Sequence, residues 1–362
     1  MRRVYLDHNA TSPMLPEVRA AMAPWWGIPA NPSSVHQEGQ RARAALEGAR
    51  REVAAFFGVP PSGVVFTSGA TEAAHQAIQM FARAGGTAVI SAVEHPCMRH
   101  AAELAVGSEG LVAVWDVDAT GQLDMPPVRE ADVVAVQWAN HETGIIIERP
   151  SGVEGASVVD LTGAAGKCVV SLLGVDAAVV GAHKLGGPVG VGALLLPGTG
   201  PAKPLLGGSQ ERGLRGGTVD VAGAVGFAAA CKVAASETER WSRWSRQRER
   251  LWATLEATGA RGIGLDQRRV PSTLMVCWPQ RPAEMMVQLF DLRGLSVSAG
   301  AACASGAVSE SPVLMAMGDP QPDGGVRFSL GPRTTDEEVD LACDIIRRTL
   351  QSLPLADGDG GA

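Results

Sequence analysis

Val64-Val65-Phe66-Thr67-Ser68-Gly69-Ala70-Thr71-Glu72 is the stretch from which the rest of the chain unfolds. Val64 to Phe66 is a short apolar run with the character of a buried strand, and Thr71 to Ala84 carries helical spacing. Small residues make the turn between them. A strand, a tight turn and a helix in that order leave the first helical N–H groups without intrahelical partners. Together with the helix dipole they favour an anion, and Thr71 adds a hydroxyl. The same residues also suit an ordinary N-cap, since Ser or Thr ahead of Glu is a common helix start.

Upstream, Gln37 to Phe57 reads as a helix, with Ala42, Ala45, Leu46, Ala49, Val53, Phe56 and Phe57 on one stripe and Gly58 and Pro60 as its stop. Downstream, strands are expected at Thr87 to Ser91, Leu111 to Val114, Val133 to Val136, Ser157 to Asp160, Ala177 to Val180 and Gly192 to Leu196. With Val64–Phe66 they make a mainly parallel seven-stranded sheet in an α/β domain, because helical patterns separate them. After Gly217 the texture changes. A long polar helix bearing Trp241, Trp244, Leu251 and Trp252 reads as a connector. Strands near Ser272 to Cys277 and Val326 to Ser329 then build a smaller α/β C-terminal domain, closed by a helix that starts at the capping box Thr335–Glu338 and runs to about Leu353. The expected division is a large domain over 16–254, a small one made of 1–15 and 255–353, and a disordered tail over 354–362.

The chain has 362 residues, 46% of them hydrophobic, and a net charge of −7. That is enough for a large core. The mild acidity gives no footprint for DNA or an anionic membrane. Six cysteines (Cys97, Cys168, Cys231, Cys277, Cys303 and Cys343) form no C-x-x-C pair and no zinc spacing. Their sparseness fits a reducing, cytoplasmic setting. No apolar run follows the two arginines at the start, so no secretory leader is expected, and no stretch of about 20 apolar residues calls for a membrane helix.

Three further residues carry chemistry. Asp160 closes the apolar run Ala156 to Val159, and a carboxylate buried there needs a cationic partner unless it merely caps a helix. Lys184 follows Val179-Val180-Gly181-Ala182-His183; desolvation would lower its pKa and make it nucleophilic, while a surface loop lysine is the plainer reading. Cys303 lies among the small residues Ser298 to Gly306, which suit an accessible thiol. The other five cysteines fall mostly in apolar patterns, as packing residues. Pyridoxal phosphate (PLP) chemistry asks for a lysine, a carboxylate at the pyridine nitrogen, a phosphate cradle and a group over the ring. These residues fall near the carboxyl ends of expected strands, where open α/β sheets bind ligands.

Tyr5-Leu6-Asp7-His8-Asn9-Ala10-Thr11, Asn31-Pro32-Ser33-Ser34-Val35-His36, FTSGATEA at 66–73, GAHK at 181–184, RGLRGGT at 212–218, SAGAACASG at 298–306 and VRFSLG at 326–331 together resemble the cysteine desulfurases, which are class V aminotransferase-like, fold-type I PLP enzymes. The resemblance spans roughly residues 4 to 352, and the long cysteine stretch is like the branch with a flexible loop. It implies conversion of L-cysteine to L-alanine with a persulfide on Cys303. Ala70 and Thr71 look like the phosphate cradle, with His183 as a phosphate ligand. His95 looks like the ring-stacking histidine that helps move protons, Asp160 like the pyridinium partner, and Lys184 like the lysine that bonds the cofactor. Arg327 is similar to the arginine that grips the substrate carboxylate, with Asn9 beside it in the substrate site. Thr218 resembles a threonine that reaches the phosphate of a neighbouring subunit, which implies a homodimer. The resemblance also implies a sulfur-acceptor protein, such as an iron–sulfur scaffold.

Three positions depart from the family pattern. His141 stands where an asparagine touches the ring oxygen, Gly163 replaces a glutamine, and Gly181 replaces a phosphate-binding serine. Each lost hydrogen bond costs about 1 kcal/mol. Two other readings remain open: a lyase preferring selenocysteine, and a catalytically weak scaffold that binds sulfur-transfer partners.

Overall fold

The computed structural model describes residues 2–148, 151–198, 207–237, 239–300 and 310–353. Cys303 and the expected disordered tail lie outside the described residues.

Strand β1 (Val4–Tyr5) is followed by helices α1 (Pro16–Met22) and α2 (Gln37–Phe57). The next seven strands are β2 (Val64–Thr67), β3 (Thr87–Ser91), β4 (Leu111–Trp115), β5 (Glu130–Ala135), β6 (Glu154–Asp160), β7 (Ala177–Gly181) and β8 (Gly192–Leu195). They form one sheet in the order β2-β8-β7-β6-β5-β3-β4. The four pairings from β7 to β4 are parallel, and β8 runs antiparallel to both its neighbours. The mainly parallel seven-stranded expectation therefore holds. β5 and β6 begin three residues earlier than expected, at Glu130 and Glu154, where polar residues still pair at the start of the ladder.

The strands are buried because helices cover the sheet. α3 (Ala70–Phe81) and α4 (Pro96–Val106) pack Ala73, Ala77, Ile78, Met98 and Ala102 against Val65, Ile90 and Val179. On another face, α2 and α5 (Val221–Ser236) bury Leu46, Val53 and Phe227 with Phe66 and Val180. α5 was not foreseen. Its run of small apolar residues is buried on most sides, so it lacks the polar stripe that marks an amphipathic helix. The expected second helix stops at Phe81 rather than Ala84, because Ala82 turns extended.

The C-terminal part carries α6 (Arg240–Glu256), β9 (Arg261–Gly262), β10 (Thr273–Cys277), α7 (Ala283–Leu292), β11 (Leu295–Ser296), β12 (Ser298–Ala299), α8 (Pro312–Ala316), β13 (Val326–Ser329) and α9 (Asp336–Gln351). A four-stranded antiparallel sheet runs β12-β13-β10-β9. The N-terminal segment joins this part. β1 pairs in parallel with β11, and Ser329 N donates to Leu6 O at 2.7 Å. α9 opens with the expected capping box, Thr335 with Glu338.

β2 and β7 both neighbour the reversed β8, so they run parallel to each other and to β6, β5 and β3. The carboxyl ends of these strands thus share one edge of the sheet. Thr67, Ser91, Ala135, Asp160 and Gly181 end there, and the site is built just beyond them.

Candidate active site

A cavity of about 450 Å3 opens at this edge. Its walls include Asn9, Ala70, Thr71, His95, Gln137, His141, Asp160, His183, Lys184 and Arg327. Ten of the eleven residues named from sequence are described, and all but Thr218 face this one space. Thr218 is exposed and lines a different hollow, with Trp25, Trp26 and Asn31.

The anion end is the start of α3. Its N-cap, Gly69, gives no side-chain hydrogen bond, so the first-turn N–H groups have no side-chain cap. The ordinary N-cap reading therefore fails here. Glu72 does not face the cavity. It takes Ser68 N at 2.6 Å and pairs with Arg215 at 2.9 Å, which ties the turn to the 212–218 segment. His183 also stands at the cavity, its Nδ1 3.2 Å from Thr11 Oγ1. Burial, with Lys184 and Lys167 nearby, pushes its pKa down to about 4, so it is a neutral hydrogen-bonding group at neutral pH.

Lys184 is held in a single 3-10 turn, Ala182–Leu185, that ends at Gly186 with φ +84. A Cβ at Gly186 would lie 2.8 Å from Leu15 Cγ. Both the left-handed backbone and this close approach require glycine. Asp160, at the end of β6, is buried and accepts Thr162 N at 2.7 Å. His95 caps α4 through its own ring. Cys97 N donates to His95 Nδ1 at 3.3 Å, and Cys97 Sγ lies 3.1 Å from the same atom. The acceptor role at Nδ1 puts the imidazole proton on Nε2. Burial lowers the His95 pKa, and Asp160 works against that.

Cys97 was expected to be a packing residue, but it also lines the cavity. Burial, Asp160 and Glu94 push its thiol up to about 12, so it stays protonated. Its nearness to His95 is plain in the sequence, but the direction of its thiol follows from the α4 cap.

The departures from the family pattern have a common structural setting. His141 lines the cavity, its ring 5.5 Å from that of His95 and edge-on to it. Its Nδ1 lies 3.3 Å from Gln137 Oε1, and Gln137 Nε2 donates to Val93 O. Burial, helped by Lys184, lowers the His141 pKa well below the usual range. A Cβ at Gly163 would fall 2.5 Å from Ala139 O. The backbone carrying His141 thus comes too close for any side chain at 163. At Gly181 a Cβ would meet only side-chain atoms, the nearest being His183 Cδ2 at 3.3 Å, so that glycine is the more tolerant of the two.

The opposite wall belongs to the C-terminal sheet. Arg327 on β13 donates to His141 O at 3.0 Å and to Asp7 Oδ1 at 2.9 Å. Its Nε is buried without a hydrogen-bond partner among the described residues. A buried guanidinium with a donor to spare suits a carboxylate ligand. Asn9 donates to the same His141 carbonyl at 3.3 Å, and Lys167 Nζ reaches Asn9 Oδ1 at 2.6 Å. Lys167 escaped the sequence reading. The one available signal is a lysine within the otherwise small and apolar run 161–170.

The class-V aminotransferase family model matches residues 4–341. This chain belongs to that family, among the cysteine desulfurases. A cysteine desulfurase of Frankia sp. (strain EuIK1) is 37% identical, with 98% of this chain and 94% of the relative covered. One from Cereibacter sphaeroides is also 37% identical, over 96% of this chain and 95% of its own length. The solved structure of a NifS-like protein superposes with a TM-score of 0.87 at 31% identity, covering 97% of this chain and all of that one. Such identity over full length carries the family's fold to every element around the cavity. Among the described residues, no helix of this desulfurase-family chain is long and apolar enough to cross a membrane.

Proposed function

We propose that this chain holds PLP in the cavity and converts L-cysteine to L-alanine, passing the sulfur to Cys303 as a persulfide. The observation that carries this is the convergence of Lys184, Asp160, His95 and the uncapped start of α3 on one cavity, with Arg327 on the facing wall. These residues meet the four demands of the cofactor, and the spare Arg327 donor fits the substrate carboxylate.

When bound, PLP supplies an electron sink for the carbon bonded to the substrate amine. The chain supplies the rest. The backbone N–H groups at Ala70 and Thr71, with His183, take the phosphate. Asp160 holds a proton on the pyridine nitrogen. Arg327 and Asn9 orient the substrate through its carboxylate. Lys184 Nζ removes the Cα proton and returns it to Cα before alanine leaves. The Cys303 thiolate attacks the substrate sulfur, so an S–S bond forms as the C–S bond breaks. The electron pair stays on Cβ, which takes up a proton, and the net path of hydrogen is from the Cys303 thiol to alanine. Gly300 lines the cavity three residues before Cys303. That separation limits the distance between their Cα atoms to roughly 11 Å, which supports the thiol's access.

The finer parts of the reading are a homodimer in which Thr218 serves the partner's phosphate site, an iron–sulfur scaffold as acceptor, a cytoplasmic location, and the division 16–254 against 1–15 with 255–353. The exposure of Thr218 supports the first, and the pairing of β1 with β11 supports the last. Purified protein with PLP should show a visible absorbance band and release alanine from L-cysteine. Cys303→Ser should keep the band and lose persulfide transfer. Full-rate sulfur release by that variant would remove Cys303 from the mechanism.

A further inference from the structure

Lys167 is buried, has no carboxylate within ion-pairing distance among the described residues, and lies outside the cavity wall. Its Nζ donates to Asn9 Oδ1 at 2.6 Å, which fixes the amide so that Asn9 Nδ2 faces His141 O and Thr273 Oγ1, at 3.3 and 3.0 Å. Arg327 Nη1 rests on the same His141 carbonyl at 3.0 Å. Asn9 is further pinned through its N–H to Ser329 Oγ at 2.9 Å, two residues along β13 from Arg327. A lysine placed in so dry a setting is costly unless its charge is used.

We propose that Lys167 is a positioning residue for the substrate carboxylate: through Asn9 it fixes the His141 carbonyl that seats Arg327, and its ammonium adds positive charge behind the carboxylate's place. The inference rests on the desulfurase reading of the cavity. The groups facing Lys167 are His8 and Asn9 from the N-terminal segment, His183 and Lys184 from the turn after β7, Arg327 from β13, Arg240 from α6, and its neighbour Cys168. Burial, then Lys184 and Arg327, bring its pKa down to about 7. The added charge is therefore present below pH 7 and fades as pH rises through that value.

The test is the affinity of the PLP-loaded protein for L-alanine, read from the change in its visible absorbance between pH 6 and 8.5. Lys167→Met should bind L-alanine about tenfold more weakly than wild type at pH 6, as expected for one positive charge removed from behind a partly buried carboxylate site, and the gap should narrow to about twofold at pH 8.5 as the wild-type amine loses its proton. Lys167→Arg keeps a charge that does not titrate, so it should match wild type at pH 6 and bind more tightly than wild type at pH 8.5. A Met variant within twofold of wild type at pH 6 would overturn the proposal. So would an Arg variant that follows the wild-type pH curve, and this arm decides the matter if the Met variant does not fold. If wild type binds L-alanine yet makes none from L-cysteine, the activity reading fails while the Lys167 result stands.

Discussion

Glu211→Ala offers the most demanding check on how the site is supported. Glu211 and Arg50 form a buried, two-pronged pair, with Nη1–Oε2 at 2.7 Å and Nη2–Oε1 at 2.6 Å. Their side chains are 1% and 3% exposed, so water cannot replace either partner. The same carboxylate accepts Phe66 N at 2.8 Å and so satisfies part of the edge strand β2. Removing it leaves Arg50 with the half-exposed Glu47, 3.1 Å from its Nε, as its remaining ionic partner, so the cost falls at the low end of the roughly 3–5 kcal/mol for breaking a buried pair. It also leaves the Phe66 amide unpaired, which overlaps with that figure rather than adding to it. Taking about 3 kcal/mol and a urea dependence near 3 kcal/mol/M, the unfolding midpoint should drop by about 1 M. β2 leads directly into Ser68–Thr71, so PLP affinity should fall as well. The assay is urea unfolding followed by tryptophan fluorescence, with PLP titration on the folded protein. Arg50→Met combined with Glu211→Gln removes both charges and should recover much of the loss. A midpoint drop under about 0.3 M in the single variant would show that the pair is solvated and the burial argument wrong.

Glu94 is buried, and desolvation with Asp160 raises its carboxyl well above the ordinary range. The folded state then holds a proton that the unfolded state releases above about 4.3, so this contribution to stability is present at low pH and is lost as pH rises. Glu94→Gln should therefore gain on wild type in thermal melts between pH 5 and pH 8, and a gap that does not change with pH would refute the assignment. Gly163→Gln, which restores the usual family residue, should not improve cofactor binding here. Its Cβ meets Ala139 O at 2.5 Å, so a loss of about 1–3 kcal/mol in stability is expected from overpacking. Unchanged unfolding with tighter PLP binding would mean that the 139–141 backbone yields.

Much of the fold was legible because local signals agreed. The α2 stripe and its Gly58 stop match the helix residue for residue, as do β3, β13 and the α9 capping box. Helix α5 was missed, because periodicity reports a boundary between apolar and polar faces and α5 has little polar face to show. The roles of Lys167, Gln137 and Cys97 were invisible for another reason. Lys167 acts through Asn9, a residue from a distant segment, while Gln137 and Cys97 act through the near neighbours His141 and His95, whose ring directions are set by the folded backbone.

Sequence alone determined the alternation of strand and helix, the small-residue turn before α3, and the order of the motifs along the chain. These depend on residues a few positions apart, whose propensities and spacing act locally. Only the tertiary structure decided that Arg327 would face Lys184, that Asn9 would meet Lys167, and that Gly163 must stay bare beneath Ala139. Those outcomes depend on burial and on the distance between segments more than a hundred positions apart in two of the three cases. Packing sets such distances, and no linear spacing records them.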